Sequence, residues 1–230
     1  MSEAVDYAFA DGIARITIDD GKANAMSPDL LAAIDGALDQ AEADDAVVVL
    51  RGRSGIFSGG FDLSVFQSGD GAALVTMLRR GGQIVHRLAT FPRPVLGACT
   101  GHAMAQGAFM LMACDVRIGL GGDFRFGMNE VAIGLVVPHY AVEICRHRMS
   151  PTAFDLALGT ATLVDPGVAR EWGILDHVAA DDDAFEALVD AEAARLATVV
   201  PEAFRGTRER VRGPVTARLL DLVDGEFPAP

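Results

Sequence analysis

Several common functions are excluded by what this 230-residue chain has little of. Cysteine occurs three times, at Cys99, Cys114 and Cys145. That number is odd, the contexts are apolar and no Cys-x-x-Cys spacing occurs. The pattern excludes a disulfide framework and a thiolate metal site, and predicts reduced thiols in a cytoplasmic protein. Lysine occurs once, at Lys22, and the net charge is −13. So acidic a surface repels phosphate backbones and anionic headgroups, which argues against nucleic acid or membrane as partner. The longest apolar runs, 46–50 and 131–138, fall far short of the roughly 20 residues needed to cross a bilayer. The opening Met1-Ser-Glu-Ala-Val-Asp6 has neither the basic start nor the apolar block of a secretory signal. The chain also lacks a Gly-Lys-Ser/Thr phosphate loop, a Gly-x-Gly-x-x-Gly dinucleotide turn and a Gly-x-Ser-x-Gly nucleophile elbow, so no redox cofactor is implied.

Hydrophobic residues make up 50% of the chain, enough to bury a sizeable core in one large domain or in a core with a helical appendage. Alternation from Tyr7 to Ile18 around Asp11-Gly12 predicts a hairpin with a type I′ turn. Ser27-Pro28 reads as an N-cap followed by the first helical position, and Leu30, Leu31, Ile34, Leu38 and Ala41 mark one apolar helical face. Buried strands are expected at 47–50 and 95–98, with a helix over 72–88 between them. Gly121-Gly122-Asp123 suggests a hairpin-like return between 116–120 and 124–126. Ser150-Pro151 and Asp165-Pro166 repeat the cap-plus-proline device, and Gly173 is placed to stop a helix. From Asp183 onward the pattern is helical, with breaks expected at Pro201 and Pro214. Strands alternating with helices predict an α/β fold.

Two glycine-rich segments join strand-like runs to helix-like runs: Phe57-Ser-Gly-Gly-Phe-Asp-Leu63, and Gly101 to Asp115. Glycine permits a tight turn and leaves no Cβ to block a ligand, so the amides at the following helix start can face a developing negative charge. Phe126-Gly-Met-Asn-Glu130 then supplies a carboxylate within an apolar stretch.

In this order, with Lys22-Ala-Asn-Ala25 ahead of them, these motifs resemble the crotonase family of enoyl-CoA hydratases and isomerases. Gly-Met-Asn-Glu130 is similar to the Gly-Leu-Asn-Glu of mitochondrial Δ3,Δ2-enoyl-CoA isomerases. The likeness runs from about Tyr7 to Val178. It implies a ββα spiral core over residues 1–180 and a helical region over 181–230 used in subunit packing, as a homotrimer or dimer of trimers. It also implies an acyl-CoA thioester as ligand, with coenzyme A entering as part of the substrate and no other cofactor or metal, and a place in fatty acid metabolism.

Carried over by motif, the backbone amides of Phe61 and Gln106 form the oxyanion hole and Glu130 is the catalytic carboxylate. Lys22, Ala23, Ser58, Gly60, Asp62, Leu63, Gly107, Phe109 and His139 are the expected substrate-binding positions. Asp62 is expected to fix its turn, and the Phe61 and Gln106 side chains to shape the pocket, with further walls from 66–78. Val131, Ile133, Leu135 and Val136 are the expected apolar neighbours of Glu130. Arg51, Arg53, Arg205, Arg208, Arg210 and Arg212 are candidate phosphate contacts. His139, Glu143 and His147 share one helix face, where an exposed polar face is expected rather than a metal site.

Phe109 occupies the position of the second carboxylate that the family's hydratases use. Hydration asks one group to deprotonate water and another to protonate carbon, whereas moving a double bond from the 3 to the 2 position needs one base. Glu130 alone therefore implies an isomerase. The alternatives are a hydratase using Glu130 and water with help from His139, and a non-catalytic acyl-CoA-binding subunit.

Overall fold

The computed structural model describes residues 4–228. In chain order the first half contains β1 (Val5–Ala10), β2 (Ile13–Ile18), β3 (Ala25–Met26), α1 (Pro28–Ala43), β4 (Val47–Gly52), β5 (Gly55–Ser58), β6 (Gly60–Phe61), α2 (Leu63–Gln67) and α3 (Gly71–Thr90). The second half contains β7 (Val95–Cys99), β8 (Gly101–Met104), α4 (Gln106–Ala113), β9 (Val116–Leu120), β10 (Phe126–Gly127), a 3-10 turn (Val131–Ile133), α5 (His139–Arg148), α6 (Pro151–Thr160), α7 (Pro166–Trp172), β11 (His177–Ala179), α8 (Asp182–Ala197) and α9 (Pro201–Glu226).

The hairpin forms as its turn chemistry dictates. Asp11 and Gly12 both take positive φ, 52° and 76°, and Ala10 pairs with Ile13. Ser27 caps α1 by accepting the Leu30 amide at 3.1 Å, and the apolar stripe read from the sequence is buried. The six-stranded sheet has the order β1-β2-β4-β7-β9-β11, parallel throughout except for the opening hairpin. Alternation along β4 sends Val48 and Leu50 into the main core and Val47 and Val49 into a second core on the other face. That second face is closed by Phe185, Val189, Ala193 and Leu196 of α8.

After each of β4, β7 and β9 the chain crosses from the large sheet to a small parallel sheet of order β10-β8-β5 before reaching a helix. This repeated strand, strand, helix path is the ββα spiral. The hairpin-like return expected around Gly121-Gly122-Asp123 is not made. β10 pairs in parallel with β8, because the amides of Ala103 and Ala105 take the carbonyls of Arg125 and Gly127 at 3.1 and 2.9 Å.

Pro201 begins α9, as expected of a proline at a helix start. Pro214 does not break that helix. It lies on an exposed face, where the carbonyl it leaves without a partner stays open to water. α9 returns over α3 and α5, burying Leu219 and Val223. Its seat on α3 is Gly82, where a Cβ would stand 2.4 Å from Val223 Cγ2 and 3.0 Å from Tyr140 Cδ1.

The three cysteines are buried and free. Burial pushes the Cys99 and Cys114 thiols up to about 12.

Gly82→Ala should cost about 1–3 kcal/mol by overpacking against Val223 and Tyr140, although alanine favours helix. Urea unfolding with an unchanged slope and a lowered midpoint is the expected reading.

Candidate active site

The two glycine turns meet. Gly60 adopts φ 97°, open to glycine, and a Cβ there would stand 2.8 Å from Ala105 Cβ, 3.2 Å from the Met104 carbonyl oxygen and 3.7 Å from the Gln106 amide nitrogen. Ala105 takes the uncommon φ 48°, ψ −121° just before α4, so the chain turns sharply into the helix. Gln106 is the first residue of α4, where an amide has no carbonyl of its own helix to bond. Phe61 follows Gly60 directly. The residues bearing both predicted donors therefore lie side by side.

They also share a support. A Cβ on Gly81 of α3 would meet the Phe61 ring at 2.4 Å and Gln106 Cδ at 3.1 Å. The Gln106 side chain does not shape the pocket as expected. It is fully buried, donating from Nε2 to the Gly81 carbonyl at 2.8 Å and accepting from Tyr140 Oη at 2.7 Å. Burial, then the charges of Glu130 and Glu226, push the Tyr140 phenol well above its ordinary value and keep it a neutral donor. Phe61 does face a cavity.

That cavity, about 110 Å³, is lined by Phe61, Phe66, Leu78, Glu130, Leu135, Val136, Pro138, Glu226 and Phe227. Glu130 precedes the 3-10 turn, and its carbonyl accepts the amides of Ile133 and Leu135 at 3.0 and 2.9 Å. Glu130 is 5% exposed, and among the described residues Oε2 accepts no hydrogen bond. Burial pushes its pKa up to about 7. This is the environment of a carboxylate that can take a proton near neutral pH. Val131 and Ile133 do not enclose it; both are about half exposed, at 47% and 49%.

A second cavity, about 520 Å³, is lined by Ala4, Asp20, Lys22, Ala23, Ala25, Ser27, Asp29, Leu30, Asp62 and Ser64. It brings the Lys22 loop together with the turn after Phe61, although these lie 40 positions apart in sequence. Asp20 builds the Lys22 loop. Burial alone would raise its pKa, but the amides of Asn24, Lys22 and Ala25 hold the carboxylate below its ordinary value. Asn24, which sequence reasoning did not single out, is fully buried at φ 48° and donates to the carbonyls of Ile18 and Phe57. Its position in Lys22-Ala-Asn-Ala25 was the available signal. Asp62 caps α2 through the Ser64 amide at 2.9 Å, and Leu63, half exposed, begins that helix.

Four expected substrate contacts are corrected. Ser58 is fully buried and clamps its turn, donating to the Asn24 carbonyl and accepting from the Gly60 amide. Gly107 is buried against Ser58, where a Cβ would stand 2.6 Å from Ser58 Cβ. Phe109 is fully buried and packs edge-on against Tyr140 at 6.3 Å. His139 is exposed at the start of α5, and its amide donates to Glu226 Oε2 at 2.8 Å. The Ser58 and Phe109 side chains hold a turn and a helix, and none of the four residues lines either cavity.

Of the candidate phosphate arginines, Arg53 stands at the Lys22 loop, while Arg51, Arg205, Arg208 and Arg212 are engaged elsewhere. Arg51 pairs with Glu186, and Arg53 donates to the Lys22 carbonyl at 2.8 Å. Arg208 and Arg212 pair with Asp115, the latter at 3.0 Å, and with Arg205 they line a separate cavity. Glu143, on the helix face shared with His139 and His147, pairs with Arg146 and Arg218. Among the described residues no three His, Cys, Asp or Glu side chains cluster as metal ligands.

A ββα spiral in which two glycine turns meet beside a buried glutamate defines the class of fold. The family model described as enoyl-CoA hydratase/isomerase matches residues 8–226, and the chain belongs to this family, the crotonases. A putative enoyl-CoA hydratase of Thermus thermophilus is 33% identical over 196 residues, which is 83% of this chain and 76% of that protein. The crystal structure of an enoyl-CoA hydratase/isomerase family protein from Pseudomonas syringae superposes with a TM-score of 0.94 at 36% identity, covering 98% of this chain and 97% of that one. An apo structure described as an enoyl-CoA isomerase of Mycobacterium tuberculosis gives a TM-score of 0.91 at 35% identity, covering 98% of both chains.

Gly81→Ala should displace the Phe61 ring and with it a donor amide, lowering kcat on an enoyl thioester by ~100- to 1,000-fold, the usual cost of one lost donor. Glu130 binds its proton more tightly folded than unfolded, so its contribution lowers stability as pH rises from 4.5 to about 7. Glu130→Gln should remove that slope, by about 3 kcal/mol across the interval, in thermal or urea melts taken against pH.

Proposed function

We propose that the protein is a Δ3,Δ2-enoyl-CoA isomerase. The observation that carries this reading is Glu130, a buried carboxylate with its pKa near neutrality, in an apolar cavity bounded by Phe61, while position 109 holds a core phenylalanine. The thioester carbonyl oxygen accepts from the Phe61 and Gln106 amides. Glu130 takes a proton from C2 of the 3-enoyl group, and the electron pair spreads into a dienolate whose oxygen those amides stabilise. Reprotonation at C4 leaves the 2-enoyl thioester. The acyl chain occupies the cavity of Phe66, Leu78 and Leu135, and the nucleotide end of coenzyme A lies along the Lys22 cavity beside Asp62. The reaction requires no cofactor beyond the substrate's own coenzyme A. The Mycobacterium tuberculosis protein, 35% identical, is described as an enoyl-CoA isomerase in one structure, which supports this reading, and as a probable enoyl-CoA hydratase in another.

Hydration of a 2-enoyl thioester is the second reading, favoured by the hydratase description of the Thermus thermophilus relative. The two are separated by supplying 3-enoyl and 2-enoyl thioesters in separate incubations. The isomerase converts the first to its 2-enoyl partner without forming a 3-hydroxy product from the second. Glu130→Gln should lower turnover by ~100- to 10,000-fold while calorimetry still detects acyl-CoA binding; full turnover by this variant overturns both readings.

A further inference from the structure

One wall of the acyl cavity is the end of α9. Glu226, in the last turn of that helix, and Phe227, which follows it, both line the cavity. Each is tied to a different helix. Glu226 Oε2 accepts the amide of His139, the first residue of α5, at 2.8 Å, while the Phe227 carbonyl accepts from Arg79 Nη1 of α3, also at 2.8 Å. Arg79 pairs with Asp224 as well, at 2.6 Å, so the final turn is held on α3 at two points. The end of α9 therefore straps the cavity from α5 to α3, and the Phe227 side chain, 9% exposed, packs with the main core.

The space left inside this strap is small. An apolar cavity of about 150 Å³ accepts one benzene, roughly six carbons. At about 110 Å³ this one accepts about four on the same scale. Glu130 stands on its wall, so with C2 at that carboxylate the carbons that enter are those from C3 onward. We propose that the site selects short 3-enoyl thioesters, with acyl groups of about six carbons, and that Phe227 sets the limit. The proposal rests on the isomerase reading, which places the acyl group here.

Longer chains find no further apolar room. Val136 is 86% exposed at the cavity rim, so carbons past the sixth run out into water beside it. A methylene that is buried tightens binding ~4-fold, and one left in water adds nothing. Chain length is thereby read as a break in a series. Phe227 is the wall residue whose truncation extends the cavity inward, away from that rim, because its ring is packed among core side chains.

The test uses the intact chain and a series of straight 3-enoyl-CoA thioesters of four to twelve carbons. Expected for the wild type is a kcat/KM that rises ~4-fold per methylene from four carbons to six and no further. Calorimetry with the matching saturated acyl-CoA thioesters should show the same break in Kd, with no turnover needed. In Phe227→Ala the break should move to eight carbons or beyond, raising the ratio of eight-carbon to six-carbon kcat/KM by ~10-fold. Phe227→Leu should move it in the same direction, and it serves where Phe227→Ala fails to fold. Two results overturn the proposal: a wild type whose Kd and kcat/KM keep improving through twelve carbons, or a break still at six carbons in a folded Phe227 variant. The wild-type series decides even where neither variant folds. Absence of isomerisation at every length, with the break in Kd intact, sinks the isomerase reading and leaves the length limit standing; isomerisation with no break does the reverse.

Discussion

Both donor-bearing residues rest on a single glycine. Phe61 and Gln106 come from turns 45 positions apart, in different passes of the spiral, yet the Phe61 ring and the Gln106 amide group both press on α3 where Gly81 has no side chain. A second close approach, Gly60 against the Cβ of Ala105, sets the spacing of the turns themselves. The closeness of Phe61 and Gln106 is thus a consequence of packing between three elements, and its precision is that of a close-packed interior, where even one methylene is felt. Polar side chains serve this arrangement from behind. Ser58 ties the first turn to Asn24, and Tyr140 ties the second to α5 through Gln106.

The same packing explains the basicity of Glu130. Glu130 is buried on a cavity shared with Leu135, Pro138 and Phe61, and among the described residues no donor reaches Oε2. A buried anion without such a bond is costly, so the group holds its proton until near neutrality. Phe109, where the resemblance leads one to expect a hydratase's second carboxylate, packs edge-on against Tyr140.

Much of this was legible in the chain because it is local. Asp11-Gly12, Ser27-Pro28 and Asp165-Pro166 each specify a turn or cap within a few residues, and each forms. The long-range parts were not. Nothing in the sequence repeats visibly, although successive passes of the chain repeat one path, because the repetition is one of backbone route and not of side chains. Gly121-Gly122 read as a hairpin since turn residues do not say which sheet the next strand joins. Pro214 read as a break because the pattern cannot tell an exposed helical face from a buried one. Gly81 and Gly82 gave no signal, as a glycine's neighbours across space are invisible along the chain. The last turn of α9 escaped for the same reason: Glu226 and Phe227 lie about 95 positions from Glu130 and reach its cavity only because the helix folds back.

The buried thiols have a practical corollary. Cys99 and Cys114 are sealed in the core and titrate only near 12, and Cys145 is equally enclosed, so all three resist alkylating reagents while the molecule stays folded. A fourth cysteine introduced at Val136, which is 86% exposed on the rim of the acyl cavity, would then accept a fluorophore alone. The native chain is in effect a blank background on which ligand entry can be watched optically without first deleting any residue.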